Sequence, residues 1–197
     1  MKQKGFTLME LLIVIGVLGI LAAGLLAAID PFEQLKKARD TNNRSAALEM
    51  LSANQRYYAT HSYLPWWKGV TSGTTTTYDC SDSLINSSLR STDPTKALTL
   101  AATGSADVYQ PITECVASQL GSDGELKATY FQGLSSTLYL SSGSKTRVGV
   151  CFAPEAKSNM SDSATKYKAT LSGGIYTIGV DSACPGVMDG KCLQCFE

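Results

Sequence analysis

The feature that most constrains this chain is an apolar segment close to its N-terminus. From Leu11 to Ile29 the sequence contains no charged residue. At about 1.5 Å of rise per residue, a helix of this length crosses a hydrocarbon layer roughly 30 Å thick. The segment is therefore predicted to insert into a bilayer and to anchor whatever follows it.

The cysteines predict a disulfide-braced domain beyond this anchor. All six follow the apolar segment: Cys80, Cys115, Cys151, Cys184, Cys192 and Cys195. An even number of cysteines in a translocated domain is typical of disulfides formed in an oxidising compartment. Many pairings are possible, so the sequence leaves the connectivity open. The close C-terminal triplet is expected to fix the tail, and structural disulfides are favoured over a redox motif at Cys192-Leu193-Gln194-Cys195.

Helical sequence continues beyond the apolar segment, because residues 33 to 58 are rich in good helix formers. Six residues of this region form a stripe: Leu35, Ala38, Leu48, Leu51, Gln55 and Tyr58. We expect one helix from about Phe6 to about Tyr58, with a kink or a short unwound turn at Pro31, since proline lacks an amide donor. The alternative is two helices that meet at Asp30-Pro31.

After Pro65 the composition changes to Ser, Thr and Gly, and short strand-like segments follow. The predicted strands are 128–132, 137–140, 147–152, 167–171 and 175–180. Gly173-Gly174 indicates a hairpin between the last two, and Thr74 to Thr77 is expected to form a flexible loop. The predicted fold class is α+β: a long N-terminal helix, transmembrane in its first half and amphipathic in its second half, packed on an antiparallel β-sheet domain.

Four parts are expected along the chain. Residues 1–5 form a cytoplasmic leader peptide, and 6–30 form the transmembrane half of the helix. Residues 31–60 form the amphipathic half, and 61–197 form an extracytoplasmic, disulfide-braced, β-rich domain.

The start of the chain carries a recognisable motif. A short basic leader with Lys2 and Lys4 is followed by Gly5-Phe6-Thr7-Leu8-Met9-Glu10 and then by the apolar segment. This arrangement resembles the N-terminus of type IV pilins and of the related pseudopilins of type II secretion. The resemblance is specific over about residues 1–30 and general elsewhere. It implies cleavage by a prepilin peptidase between Gly5 and Phe6, methylation of the new Phe6 amine, and assembly into a filament.

Glu10 places a carboxylate in an otherwise apolar stretch, at a cost of about 2.5–3.5 kcal/mol on insertion scales. It therefore needs a partner, which the resemblance implies is the Phe6 amine of a neighbouring subunit. Two alternatives stay open: Glu10 pairs with the amine of its own chain one turn away, or it sits at the membrane interface. Gly19, Ala23 and Ala27 recur at every fourth residue, a pattern that lets helices approach closely.

Other chemistry has little support. The chain has 17 basic and 17 acidic residues and no long basic run, which is unfavourable for a protein that chiefly binds nucleic acid. His61 is the single histidine, and no convergent set of reactive side chains is recognisable in the soluble domain. We therefore predict no metal site, no cofactor and no catalytic residue. Trp66-Trp67 could stack on a sugar, although burial is the commoner fate of large aromatic residues.

Orientation follows from the leader and the cysteines, which both place the N-terminus in the cytoplasm. Lys36, Lys37 and Arg39 lie just after the span, so the positive-inside bias does not settle it. We expect an inner-membrane protein with a single span before assembly, and an extracellular filament afterwards.

The predicted function is structural: a pilin subunit of a surface filament used for adhesion, motility or DNA uptake. The expected partners are copies of itself, other pilins, a prepilin peptidase, the pilus or secretion assembly machinery and the membrane. A pseudopilin of a type II secretion system is the alternative, although six cysteines in a long domain favour a pilin. A monomeric membrane-anchored binding protein or enzyme is a further alternative.

Overall fold

The computed structural model describes residues 5–28, 30–100, 110–185 and 192–197. The N-terminal third forms two helices, α1 (Leu8–Ala28) and α2 (Pro31–His61). Between them Asp30 is extended, and its Oδ1 accepts the backbone N–H groups of Phe32 at 3.1 Å and Glu33 at 3.2 Å. A capping aspartate followed by proline starts a new helix. The interruption expected at Pro31 is therefore confirmed, and it separates two helices that meet at Asp30-Pro31, as the alternative prediction had it.

The remainder of the described chain contains short helices and strands. The helices are α3 (Ser83–Ser87), α4 (Gln110–Ser122) and α5 (Lys157–Met160). The strands are β1 (Gly69–Ser72), β2 (Thr75–Tyr78), β3 (Lys96–Leu100), β4 (Leu138–Ser141), β5 (Gly149–Phe152), β6 (Thr165–Ser172), β7 (Ile175–Val180) and β8 (Cys192–Phe196).

Six strands close into an antiparallel barrel in the order β3-β4-β5-β8-β6-β7, with β7 paired back to β3. The α+β class and the antiparallel pairing are thus confirmed. The closure was not predicted. The last strand of the chain, β8, lies between β5 and β6 and pairs with both, so the barrel depends on contacts between segments far apart in sequence.

The local strand predictions have mixed outcomes. Four of them correspond to β4, β5, β6 and β7. Gly173 and Gly174 join β6 to β7 with φ angles of 59° and 82°, as a type I′ turn requires. The prediction at 128–132 is wrong, because Phe131–Gly133 forms a 3-10 turn.

The threonine-rich segment is also different from its prediction. Instead of a flexible loop it forms an antiparallel hairpin of β1 and β2, in which Val70 pairs with Thr77 and Thr71 with Thr76. The β-branched side chains of threonine and valine favour extended backbone, and this preference outweighs the low complexity of the sequence.

The core lies between α2 and the barrel. Ala47, Met50, Ala53 and Tyr57 of α2 are almost fully buried. They belong to the same apolar cluster as residues of three strands and of α4: Leu98, Leu100, Leu138, Leu140, Val150, Phe152, Ile112, Val116 and Leu120. Helix α2 therefore acts as the support of the barrel.

The predicted apolar stripe of α2 was misplaced. Leu51 is buried as expected, but Leu48 is 40% exposed and Leu35 is 60% exposed. The buried face instead includes the polar residues Asp40, Asn43 and Asn54. Asp40 and Asn43 accept hydrogen bonds from distant parts of the chain, Glu155 and Ser135, and hydrophobic periodicity cannot detect positions whose burial depends on such partners.

Candidate functional site

The predicted cleavage and assembly motif lies at the start of α1. Thr7 and Glu10 bond to each other across the first turn. Glu10 Oε2 accepts the Thr7 backbone N–H at 3.0 Å and the Thr7 hydroxyl at 2.8 Å, and the Glu10 N–H donates to Thr7 Oγ1 at 3.3 Å. This reciprocal arrangement is a capping box, whose signature is a Ser or Thr three residues before a Glu.

The capping box gives Glu10 a partner that the sequence reasoning missed, although the Thr-x-x-Glu spacing was there to indicate it. In the uncleaved chain Phe6 has no free amine, and its side chain is 84% exposed. The pairing of Glu10 with the Phe6 amine of another subunit thus remains a prediction. Cleavage between Gly5 and Phe6 would create that amine one residue before Thr7.

Helix α1 is long and apolar enough to span a membrane over Leu8–Leu25, and none of that window is buried within the protein. Gly19 and Ala23 lie on this exposed helix. A methyl group added at Gly19 would meet no atom within 4 Å. The side chain of Ala27 lies outside the described positions. The packing role of these three residues remains a prediction about neighbouring helices.

The structure joins all six cysteines into three disulfides: Cys80–Cys115, Cys151–Cys195 and Cys184–Cys192. Cys80 follows the β1–β2 hairpin and is joined to α4. Cys151 and Cys195 lie directly opposite each other on β5 and β8. Two of the three bridges therefore hold the C-terminal strand, as expected from the close triplet.

The Cys-x-x-Cys spacing near the C-terminus does not form a redox motif in this fold. Successive side chains of a strand point to opposite faces, so Cys192 and Cys195, three positions apart on β8, face opposite sides. Cys195 packs with Leu193 and Cys151, whereas Cys192 is bonded to Cys184.

The single histidine takes part in a structural contact. His61 stacks on Tyr57 with the ring centroids 4.2 Å apart, and its Nε2 lies 3.2 Å from Asp123 Oδ2. It thereby joins the C-terminal ends of α2 and α4. Trp66 is fully buried. Within the described parts of the chain, no group of three or more His, Cys, Asp or Glu side chains is placed to hold a metal ion.

Polar contacts attach the N-terminal half of α2 to the segment before and within α5. Asp40, 2% exposed, accepts the backbone N–H of Glu155 at 2.7 Å and of Ala156 at 2.9 Å. It also accepts the side-chain amide of Asn159 at 2.7 Å. Arg39 pairs with Glu155 at 3.3 Å. This half of the helix is consequently fixed to the domain by hydrogen bonds rather than by apolar packing.

Comparisons with known proteins bear on the N-terminus alone. The family model of the prokaryotic N-terminal methylation motif matches residues 1–26. No curated protein matches the chain, and no solved structure matches it either. The matched segment contains the basic leader, Gly5, Phe6, Glu10 and most of α1, so the resemblance to prepilins is confirmed there. The chain thus carries a prepilin-type methylation motif at its N-terminus, followed by an exposed apolar helix, a combination that supports a protein of the type IV pilin and pseudopilin type in general.

Proposed function

We propose that this protein is a pilin, the structural subunit of a type IV pilus-like surface filament that serves adhesion, motility or DNA uptake. In this proposal a prepilin peptidase cleaves between Gly5 and Phe6, and the Phe6 amine is methylated. Mature subunits then assemble through α1, with the disulfide-braced domain outside.

The observation that carries this proposal is that α1 is exposed while the rest of the protein forms a hydrophobic core without it. All residues from Leu8 to Leu25 are exposed, whereas α2, α4 and the barrel bury an apolar cluster of their own. Apolar surface gains roughly 25 cal/mol per Å² when it leaves water, so α1 needs an external cover. The bilayer supplies it for a monomer, and the helices of other copies supply it outside the membrane.

The domain supports a role outside the cytoplasm. Its described cysteines are all in disulfides, and such bonds persist in oxidising compartments. The closed barrel leaves no free edge among its six strands, a property that protects a surface-exposed domain from unwanted strand pairing.

Processing is the first test. The protein is co-expressed with or without a prepilin peptidase, and its intact mass is measured. We expect loss of residues 1–5 and the gain of one methyl group when the peptidase is present. Gly5→Leu should keep the leader, and Gly16→Ala, inside α1, serves as the matched control that is still cleaved.

Assembly is the second test, measured as the amount of protein in sheared surface material relative to membranes. We expect the processed protein in the sheared fraction and the Gly5→Leu variant in membranes alone. A mature N-terminus within the alanines of α1, or a processed protein that never leaves the membrane, would contradict the proposal.

A further inference from the structure

In the first turns of α2, acidic and basic side chains differ in whether they have partners within the protein. Residues 30–44 contain three acidic side chains, and each is already bonded to the protein. Asp30 accepts the N–H of Phe32, Glu33 accepts that of Lys157, and Asp40 accepts that of Glu155. The negative charges of this segment are therefore turned towards the helix start and the domain.

Of the basic side chains between positions 36 and 39, Lys37 and Arg39 are exposed, whereas Lys36 is half-buried beside the domain. Lys36 and Lys37 have no carboxylate partner among the described residues, and Arg39 keeps 61% of its side chain exposed although it pairs with Glu155. The segment thus presents positive charge to its surroundings while its acids are occupied.

Two large apolar side chains lie beside these cations. Phe32 is 74% exposed and Leu35 is 60% exposed. Positions 32, 35, 36 and 39 follow the i, i+3, i+4, i+7 spacing of one helix face. An exposed Phe and Leu next to Lys and Arg is the composition of helices that bind the surface of anionic membranes.

The position of this face relative to the membrane span fits such contact. The residues of this face lie four to eleven positions after Ala28, the last residue of α1. At helical rise this separation corresponds to roughly 6–17 Å. The headgroup region adds about 5–8 Å on each side of the hydrocarbon core. The start of the face therefore lies at headgroup depth, and a tilt of α2 brings the rest closer.

We propose that Phe32, Leu35, Lys36 and Arg39 form a collar that binds anionic phospholipid headgroups on the outer side of the membrane while the subunit is still a monomer. The apolar pair enters the boundary of the acyl region, and the two cations contact phosphate groups. This inference goes beyond filament formation and requires neither cleavage nor assembly. It also gives a role to a basic cluster on the side of the span where the positive-inside bias disfavours it.

The test uses the full chain in lipid nanodiscs. Because the six native cysteines are all paired in disulfides, Leu35→Cys introduces a single thiol in the collar. Its reaction rate with an uncharged, water-soluble maleimide is compared in phosphatidylcholine and in an equal mixture with phosphatidylglycerol. We expect the rate to fall at least about fivefold in the anionic lipid, the factor for one basic residue at an anionic surface.

The controls separate charge from position. The slowing should disappear in 1 M salt, where the Debye length is about 3 Å, and in a Lys36→Gln/Arg39→Gln background. Lys36→Gln alone should reduce it while leaving the pair of Arg39 and Glu155 intact. Leu48→Cys, about 20 Å further along α2, should react at the same rate in both lipids.

Each other outcome overturns the proposal. Equal rates at position 35 in the two lipids, or a slowing that the double glutamine variant retains, would show that anionic headgroups do not bind the collar. A slowing that appears in phosphatidylcholine and grows with the number of protein copies per disc would assign the face to a second copy of the chain.

Discussion

The carboxylate of Asp40 accepts the backbone N–H of Ala156 at 2.9 Å, although 116 residues separate the two positions in the chain. Ala156 immediately precedes α5, and its side chain makes no capping hydrogen bond. From α2, Asp40 therefore binds the backbone N–H groups of the two residues that precede α5. This contact fixes the N-terminal half of the long helix to the rim of the barrel.

Asp40→Ala should destabilise the domain. The change leaves the N–H groups of Glu155 and Ala156 and the amide of Asn159 without their acceptor, and each buried donor left unsatisfied costs about 1–3 kcal/mol. We expect a loss of about 3 kcal/mol, or roughly 6–12 °C in melting temperature. Thermal unfolding of the full chain in detergent, followed by circular dichroism, measures this. Asn42→Ala, at an exposed position of α2, is the control, and equal melting of both variants would contradict the role of Asp40.

Glu10 variants should separate charge from capping. Glu10→Gln can still form a capping box but carries no charge, and Glu10→Val loses both. If Glu10 neutralises the Phe6 amine of the next subunit, both changes leave a buried positive charge unpaired, at a cost of about 3–5 kcal/mol. We expect both variants in membranes at normal levels and both nearly absent from sheared filaments.

The matched control for Glu10 is Thr7→Val, which removes the hydroxyl partner and keeps the carboxylate. Loss of a cap costs about 1 kcal/mol, so this variant should still assemble. Wild-type filament levels with Glu10→Gln, or an equally severe defect with Thr7→Val, would assign Glu10 a local capping role.

The disulfides predict a ranking of stability. Peptide mapping without reduction should find Cys80–Cys115, Cys151–Cys195 and Cys184–Cys192. In the chain-entropy model, removing the bridge that spans 44 residues should cost roughly 1.5 kcal/mol more than removing the one that spans 8. Paired serine variants compared in chemical denaturation test this. A Cys192–Cys195 peptide, or free thiols in the unfolded unreduced protein, would contradict the structure.

Acid stability should depend on Asp93 and Asp181. Hydrogen bonds from the Thr95 hydroxyl at 2.6 Å and its N–H at 3.0 Å hold the pKa of Asp93 below its ordinary value. The Ala183 N–H at 2.8 Å, and then Lys168 at 3.4 Å, do the same for the pKa of Asp181. A carboxyl whose pKa is lower in the folded state contributes stability above its unfolded pKa, about 3.9.

That contribution is lost as the pH falls below about 4 and through the lowered folded values. Melting temperatures between pH 7 and pH 2 should therefore fall less steeply for Asp93→Asn/Asp181→Asn than for the unchanged protein. Identical slopes below pH 4 would show that these two carboxyls do not contribute to acid unfolding.

Several features that depend only on neighbouring residues were predicted from the sequence. The apolar segment, the prepilin motif and the interruption at Pro31 each follow from chemistry within one or two helical turns. The Gly173-Gly174 hairpin was equally local, because two positive φ angles suit glycine. The capping box of Thr7 and Glu10 belongs to this class too, and its spacing would have sufficed to find it.

The tertiary structure alone decided the features that depend on distant segments. The insertion of β8 between β5 and β6, the pairing of Cys151 with Cys195 and the burial of Asp40 each join positions far apart in the chain. The free energy of each feature depends on a partner that lies outside any short stretch of sequence. A strand needs neighbouring strands to pair with, a thiol needs a second thiol at the right distance, and a buried carboxylate needs hydrogen-bond donors. The sequence by itself therefore determined how the chain is anchored, and the tertiary structure decided how the anchored domain is closed.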